Sequence, residues 1–368
     1  MGYAIYSDPI LYLAALSAVA VFALNLLLIV VAALLRGMSI YRARRDVRLR
    51  ATWRPLFAQA IASEMNGKPP AVNRGDASAL LRLWLHFQES VDGEAHGRLN
   101  RIALDAGFRE IALFMLRRGD LLQRFLAITT LGHLGDRSVW AALHREVRGD
   151  NPYLSLAAVQ AMVRIDPNTA IPLLLPLARL RRDWSPSRVF MILLQLDTKS
   201  LAEPLVNAMS SSDAFPPAHF IRYLEALPGN QAMRSVRMLL DRDAPIEVIC
   251  ACLELLRDPA DVDLARKYLP HAAWQVRVHA AKALGLIGSS DDVARLCGLL
   301  SDHEWWVRYR AAEALVHMPF VTGAELERIK KSLTDQFASD MLDQVVAEQR
   351  LRSSSPRASS SIVDRRVA

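Results

Sequence analysis

The chain has 368 residues, 52% of them hydrophobic and 23% charged, with 45 Lys and Arg against 38 Asp and Glu. These totals exclude a disordered, collagenous or disulfide-rich chain, which would need low hydrophobicity, a glycine period or dense cysteine respectively. The net charge of +7 is unevenly placed: residues 36–54 carry seven Arg and one Asp, residues 350–368 carry five Arg and one Asp, and residues 55–349 together hold −2. Nucleic-acid affinity rests mainly on neutralised phosphates, so a body of this charge predicts no nucleic-acid partner.

Residues 1–8 form a short N-terminus, and from Pro9 to Leu35 the only ionisable side chain is Tyr12. An α-helix rises about 1.5 Å per residue and a hydrocarbon core is about 30 Å thick, so about 20 apolar residues cross it. The run 9–35 therefore reads as a single transmembrane helix. A cleaved signal peptide carries its positive charge before a shorter apolar stretch, whereas here every nearby Arg follows the run. The basic stretch 36–54 is expected to be a juxtamembrane linker. Within it Arg42, Arg44, Arg45, Arg48 and Arg50 are topology-determining, since basic residues beside a span stay on the cytoplasmic side. The expected placement is a bacterial inner membrane, single-pass, with residues 1–8 extracytoplasmic and the bulk of the chain cytoplasmic. Anionic lipid at the Arg flank is the further reading of the same residues. The three cysteines, Cys250, Cys252 and Cys297, have no metal or redox spacing and read as small core residues.

Residues 55–119 are helical by pattern (Leu80, Leu83, Trp84, Phe87; Ile111, Phe114, Met115) and read as an N-terminal cap or divergent repeats, broken first at Gly67-Lys-Pro-Pro70. Self-similarity governs residues 120–349. Segments beginning near 124, 154, 185, 216, 247, 277 and 308 recur every 30 or 31 residues, clearest in VRVHAAKALGLIG (276–288) and VRYRAAEALVHMP (307–319). A small pair is followed by two large aliphatics, as in Ala280/Ala281, Leu284 and Ile287, which places one apolar stripe on a helix. A second, shorter apolar helix lies between starts. Asp150, Asp183, Asp213, Asp243 and Asp302 precede first helices, and Asp136, Asp166, Asp197 and Asp258 precede second helices, as candidate N-caps. The predicted fold is all-α: one transmembrane helix followed by an α-solenoid of helix pairs. Residues 350–368 form a Ser- and Arg-rich tail with too little apolar matter to fold.

The segments 276–288 and 307–319 resemble HEAT repeats, of the short bacterial kind seen in phycobilin-lyase-type HEAT-like proteins. That resemblance implies a scaffold or adaptor with a protein partner associated with the membrane, such as a membrane glycosyltransferase or polysaccharide-assembly protein. Its alternatives are a lyase of the phycobilin-attachment type and a nucleic-acid-processing HEAT protein.

No HExxH, GxGxxG, GxxxxGK[ST] or GxSxG motif occurs. The expectation is no enzyme activity, no cofactor, no metal and no small-molecule substrate. Two loop segments combine indole and guanidinium groups before a helix: Arg182, Trp184 and Arg188, and Trp305, Trp306 and Arg308. Trp and Arg dominate interface hot spots, which makes these six a candidate partner-binding edge. The alternative reading is that the Trp residues fill equivalent packing positions between repeats.

Overall fold

The computed structural model describes residues 9–63, 67–210 and 214–354, apart from the side chains at 9–11, 14, 15, 35, 38–40, 42, 43, 74, 353 and 354. The expected extracytoplasmic stretch 1–8, the tail beyond 354 and the cap at Asp213 lie outside these residues. All regular structure among the described residues is helical, and the chain divides into two compact units at Ile165/Asp166.

In the first unit α1 (Pro9–Ala62) is followed by α2 (Ala77–Gln88), α3 (Glu94–Asp105), α4 (Phe108–Arg118), α5 (Leu121–Leu134), α6 (Trp140–Val147) and α7 (Pro152–Ile165). The 54 residues of α1 reach about 80 Å at 1.5 Å each. Its stretch Leu16–Leu34 is long and apolar enough to cross a membrane, and none of it is buried in the protein. The stretch 36–54, expected as a linker, continues the same helix. The reason is local: Arg and Ala are strong helix formers, and Leu49, Trp53, Phe57 and Ala60 recur at helical spacing and are buried. Trp53 meets Phe57 at 5.6 Å and Phe108 at 6.0 Å, and Phe57 meets Phe87 at 5.6 Å. Pro55 is tolerated inside the helix because it and Ala51 are exposed, so the carbonyl that the missing N–H leaves free reaches water. Arg98 of α3 closes α1, donating to the carbonyls of Ala60 (2.9 Å) and Ile61 (2.6 Å). In α5 the capping box of Asp120 and Gln123 fixes the start, and Gly135, at φ +70°, ends it.

The second unit comprises α8 (Pro167–Leu180), α9 (Pro186–Leu193), α10 (Thr198–Ser210), α11 (Ala218–Ile221), α12 (Gly229–Leu240), α13 (Ile246–Leu253), α14 (Val262–Tyr268), α15 (Trp274–Ile287), α16 (Val293–Leu299), α17 (Trp305–His317), α18 (Gly323–Ser332) and α19 (Gln336–Ser354). First helices begin within three residues of the starts read from the sequence. The predicted stripe is the core: Ala280, Ala281, Leu284, Ile287, Ala311, Ala312, Leu315 and Met318 are all buried. In this unit α11, α13, α15, α17 and α19 pack successively side by side. The last helix runs past Gln349 to Ser354.

The capping residues differ in part from the reading above. Asp136, Asp258 and Asp302 accept backbone N–H groups as expected, at 2.8 to 2.9 Å. At α7 the cap is Asn151 rather than Asp150, accepting from Tyr153 and Leu154. Asp183 is turned onto Arg181 instead, at 2.6 Å. A second system links neighbouring repeats: Arg109 pairs with Asp136, Arg237 with Asp261, Arg266 with Asp292, and Arg277 with Asp302. In each, a guanidinium binds the carboxylate at the start of a later helix.

Candidate functional site

The six residues of the expected binding edge separate into two kinds. Trp184 is 3% exposed and packs in the core, with Arg181 stacked over its ring at 5.5 Å. Of the first segment only Arg182 and Arg188 are exposed. The identical vocabulary in the other segment has a different outcome. Trp305 and Trp306 are 40% and 54% exposed. Trp305 stacks on Tyr309 (5.2 Å, 13°), and Trp306 stands edge-on to Trp305 (4.8 Å, 88°). Tyr309 donates to Glu348 of α19 at 2.8 Å, which fixes the stack. Arg308 points inward, donating to the carbonyls of Asp302 (2.8 Å) and His303 (3.3 Å), so it closes the turn before α17. One exposed aromatic patch results, on the first turn and a half of α17.

The Arg flank of α1 is partly neutralised. Arg45 pairs with Asp76, and Arg50 pairs with Asp46 at 2.9 Å. Arg44 and Arg48 are exposed, and the side chain of Arg42 lies outside the described residues.

Sequence reasoning missed a groove of about 520 Å³ across four successive first helices of the second unit. Phe190 comes from α9, His219 from α11, Arg222, Tyr223 and Glu225 from the 3-10 turn after it, Glu247, Cys250 and Glu254 from α13 and its C-cap, and His279 from α15. The pattern of α13 explains its share. Val248, Ile249, Cys252 and Leu253 face the core, which turns Glu247, Cys250 and Glu254 to the opposite face at spacings of three and four. Successive repeats thus contribute between one and four groups, about thirty residues apart, a juxtaposition that no local motif marks.

Charge in the groove is dominated by carboxylate. Glu254 lies 3.5 Å from His279 and 4.0 Å from Arg222. Burial lowers the His279 pKa, with Glu254 opposing and Lys282 and Arg310 reinforcing, so the imidazole is neutral at neutral pH. Burial, helped by Glu254 and Glu247, pushes the Cys250 thiol up to about 11, and burial pushes Cys252 up to about 12. Neither is a thiolate nucleophile at neutral pH. Burial likewise raises the Tyr223 hydroxyl to about 12. Among the described residues no group of three His, Cys, Asp or Glu is arranged to hold a metal ion. The groove presents hydrogen-bonding and charged groups held in place by successive repeats.

Helix pairs stacked in register, each touching its neighbours through one apolar stripe, define an α-solenoid. The family of HEAT repeats matches residues 247–316 and 262–348, and the chain carries HEAT repeats there. No curated protein matches the chain in sequence. Importin beta, solved in an ammonium sulfate condition, is 15% identical over 83% of this chain and 54% of its own, with a TM-score of 0.34. The chain spans about half of that protein's length. The complex of CpcE and CpcF of phycocyanin lyase from Nostoc sp. PCC7120 is 18% identical over 77% of this chain and 97% of its own (TM-score 0.27). Human deoxyhypusine hydroxylase is 15% identical over 76% and 98% (TM-score 0.21). Overlap this loose assigns no function.

Proposed function

We propose that this protein is a membrane-anchored scaffold, a HEAT-repeat solenoid held at the cytoplasmic face by one spanning helix and docking protein partners. The supporting observation is the division of labour within α1. Its apolar stretch Leu16–Leu34 finds no cover in the protein, while Leu49, Trp53, Phe57 and Ala60 of the same helix are core of the first unit. An uncovered apolar stretch of this length suits the hydrocarbon core of a bilayer. The Arg cluster after it supports an orientation with residues 36–368 inside. A scaffold rather than an enzyme accords with a groove whose thiols are protonated and whose imidazole is neutral. The partner class is a membrane glycosyltransferase or polysaccharide-assembly protein, by the family resemblance.

Carbonate extraction of membranes containing the full chain tests the anchor. Retention in the membrane pellet is expected, and release into the supernatant, or a mature chain lacking Leu16–Leu34, overturns it. Purification in mild detergent tests the partner class. Co-purification of an integral membrane assembly is expected, and repeated recovery of only soluble metabolic enzymes, or a coloured product on co-expression with a bilin and its acceptor, overturns it.

A further inference from the structure

Resting on the scaffold reading, we propose that the groove spanning α9, α11, α13 and α15 is the docking site for a peptide segment of a protein partner that inserts an arginine side chain. Three carboxylates, Glu225, Glu247 and Glu254, face a single lining guanidinium, Arg222. Glu254 is shared between Arg222 and His279, and Glu225 and Glu247 make no ion pair with any described residue. Of the two lining imidazoles, His279 is neutral, and His219 directs its Nε2 to the carbonyl of Ala178 at 3.2 Å. A cation is what this surface lacks.

The independent observation is Tyr223. Its side chain lines the groove and is 2% exposed, and its hydroxyl, the tip that keeps contact with solvent, makes no hydrogen bond to any described residue. A ligand that supplies an acceptor here replaces water at a donor already held in place by its buried ring. A metal ion or a polyamine would answer the carboxylates and leave this donor idle. A peptide answers both, bringing a cationic side chain for the glutamates and a backbone carbonyl for Tyr223. Phe190 and Ala251 supply apolar wall for the methylene stem of the side chain, and the volume lies within the range of about 300–1,000 Å³ of sites that enclose small groups. Guanidinium suits carboxylates presented from two helices because its planar fork donates in two directions.

The test is fluorescence anisotropy with the full-length protein in detergent and a labelled alanine-based peptide containing one arginine. Its citrulline counterpart has the same shape without the charge. The arginine peptide is expected to bind about tenfold or more tightly than the citrulline peptide, the scale of one charge-assisted contact, and to weaken as salt rises. Glu247→Gln with Glu254→Gln should remove that preference, and Tyr223→Phe should weaken the arginine peptide about threefold to tenfold at every salt concentration. Equal binding of the two peptides, no binding of either, or retention of the preference in the double glutamine variant overturns the proposal. Spermidine competition unaffected by Tyr223→Phe, with no peptide binding, would assign the groove to free cations instead. The first comparison uses the unaltered protein, so it does not depend on the folding of a variant. The assay does not depend on anchoring either: release of the chain by carbonate would sink the anchor alone, and loss of peptide discrimination would sink only the groove.

Discussion

Gly285 of α15 lies so close to Ala314 of α17 that a methyl group added to the glycine would stand 2.6 Å from the alanine Cβ. The same relationship recurs in the first unit, where a methyl on Gly132 would stand 2.7 Å from the Cβ of Ala161. Both glycines are in first helices, and both partners occupy the equivalent place in the next. Two helices pack here almost backbone to backbone, and the small residues of the repeat exist to permit it.

Ala is preferred over Gly in a helix interior by about 1 kcal/mol, so the sign of Gly285→Ala measures this contact directly. The expected result is a net loss of about 1–3 kcal/mol, because overpacking a closed helix crossing outweighs the propensity gain. Gly298 in α16 is exposed with nothing near its missing Cβ, and Gly298→Ala should gain up to about 1 kcal/mol. Urea unfolding of both variants checks the contrast, and a stabilised Gly285→Ala would contradict the crossing.

The Arg277–Asp302 pair is buried on both sides, 7% and 8% exposed, and bidentate at 2.7 and 2.8 Å. Arg277 also donates to the carbonyls of His271 and Ala272 at 2.9 Å. Asp302→Leu should cost about 3–5 kcal/mol by stranding a buried guanidinium, whereas the same change combined with Arg277→Met should cost clearly less. A double-mutant cycle by denaturant unfolding would show the difference as a large coupling energy.

His133 sets a pH limit on the first unit. Its Nε2 accepts from Arg164 at 2.5 Å, and burial first, then Arg164 and His96, lower its pKa from 6.5 to about 4. The unfolded chain takes up the proton first as pH falls. The stability contribution of the neutral imidazole is therefore complete above pH 6.5 and lost progressively down to about pH 4. At about 1.4 kcal/mol per unit, the loss approaches about 3 kcal/mol. Thermal unfolding across that window should show the decline, and His133→Gln should flatten it.

The aromatic segments predict opposite phenotypes. Trp184→Ala should lower stability by about 3–5 kcal/mol as a core truncation. Trp306→Ala should leave the unfolding midpoint almost unchanged and weaken partner capture, since an exposed indole has energy to lose only in a complex. Parallel melting curves and detergent pull-downs separate the two.

The repeat was legible because its signal is local. Ala280, Ala281, Leu284 and Ile287 sit within three turns of one another, and their spacing alone places them on one buried face. Trp184 and Trp305 were not distinguishable in this way, since each lies at the start of a repeat within three residues of an Arg and only the packing of neighbouring repeats decides which is covered. The groove was illegible for the same reason: Glu247 and Cys250 look like an ordinary solvent face until α11 and α15 are set beside them. The helical course of 36–54 was hidden by its arginines. Their charge explained topology so fully that the stripe of Leu49, Trp53, Phe57 and Ala60 went unread.

In the proposed anchored protein, an unbroken α1 is a shaft rather than a tether. With about 100° of rotation per residue, the stretch between Leu34 and Leu49 would then set the compass bearing at which the first unit faces its neighbours in the plane of the membrane, as well as its height above it. One inserted residue would swing that face by about a quarter-turn and lift it by only about 1.5 Å. Four inserted residues, a little over one turn, would bring the bearing back to within about 40° while raising the body by about 6 Å. Loss of partner capture with one residue and its recovery with four would make azimuth, more than reach, the quantity this helix conserves.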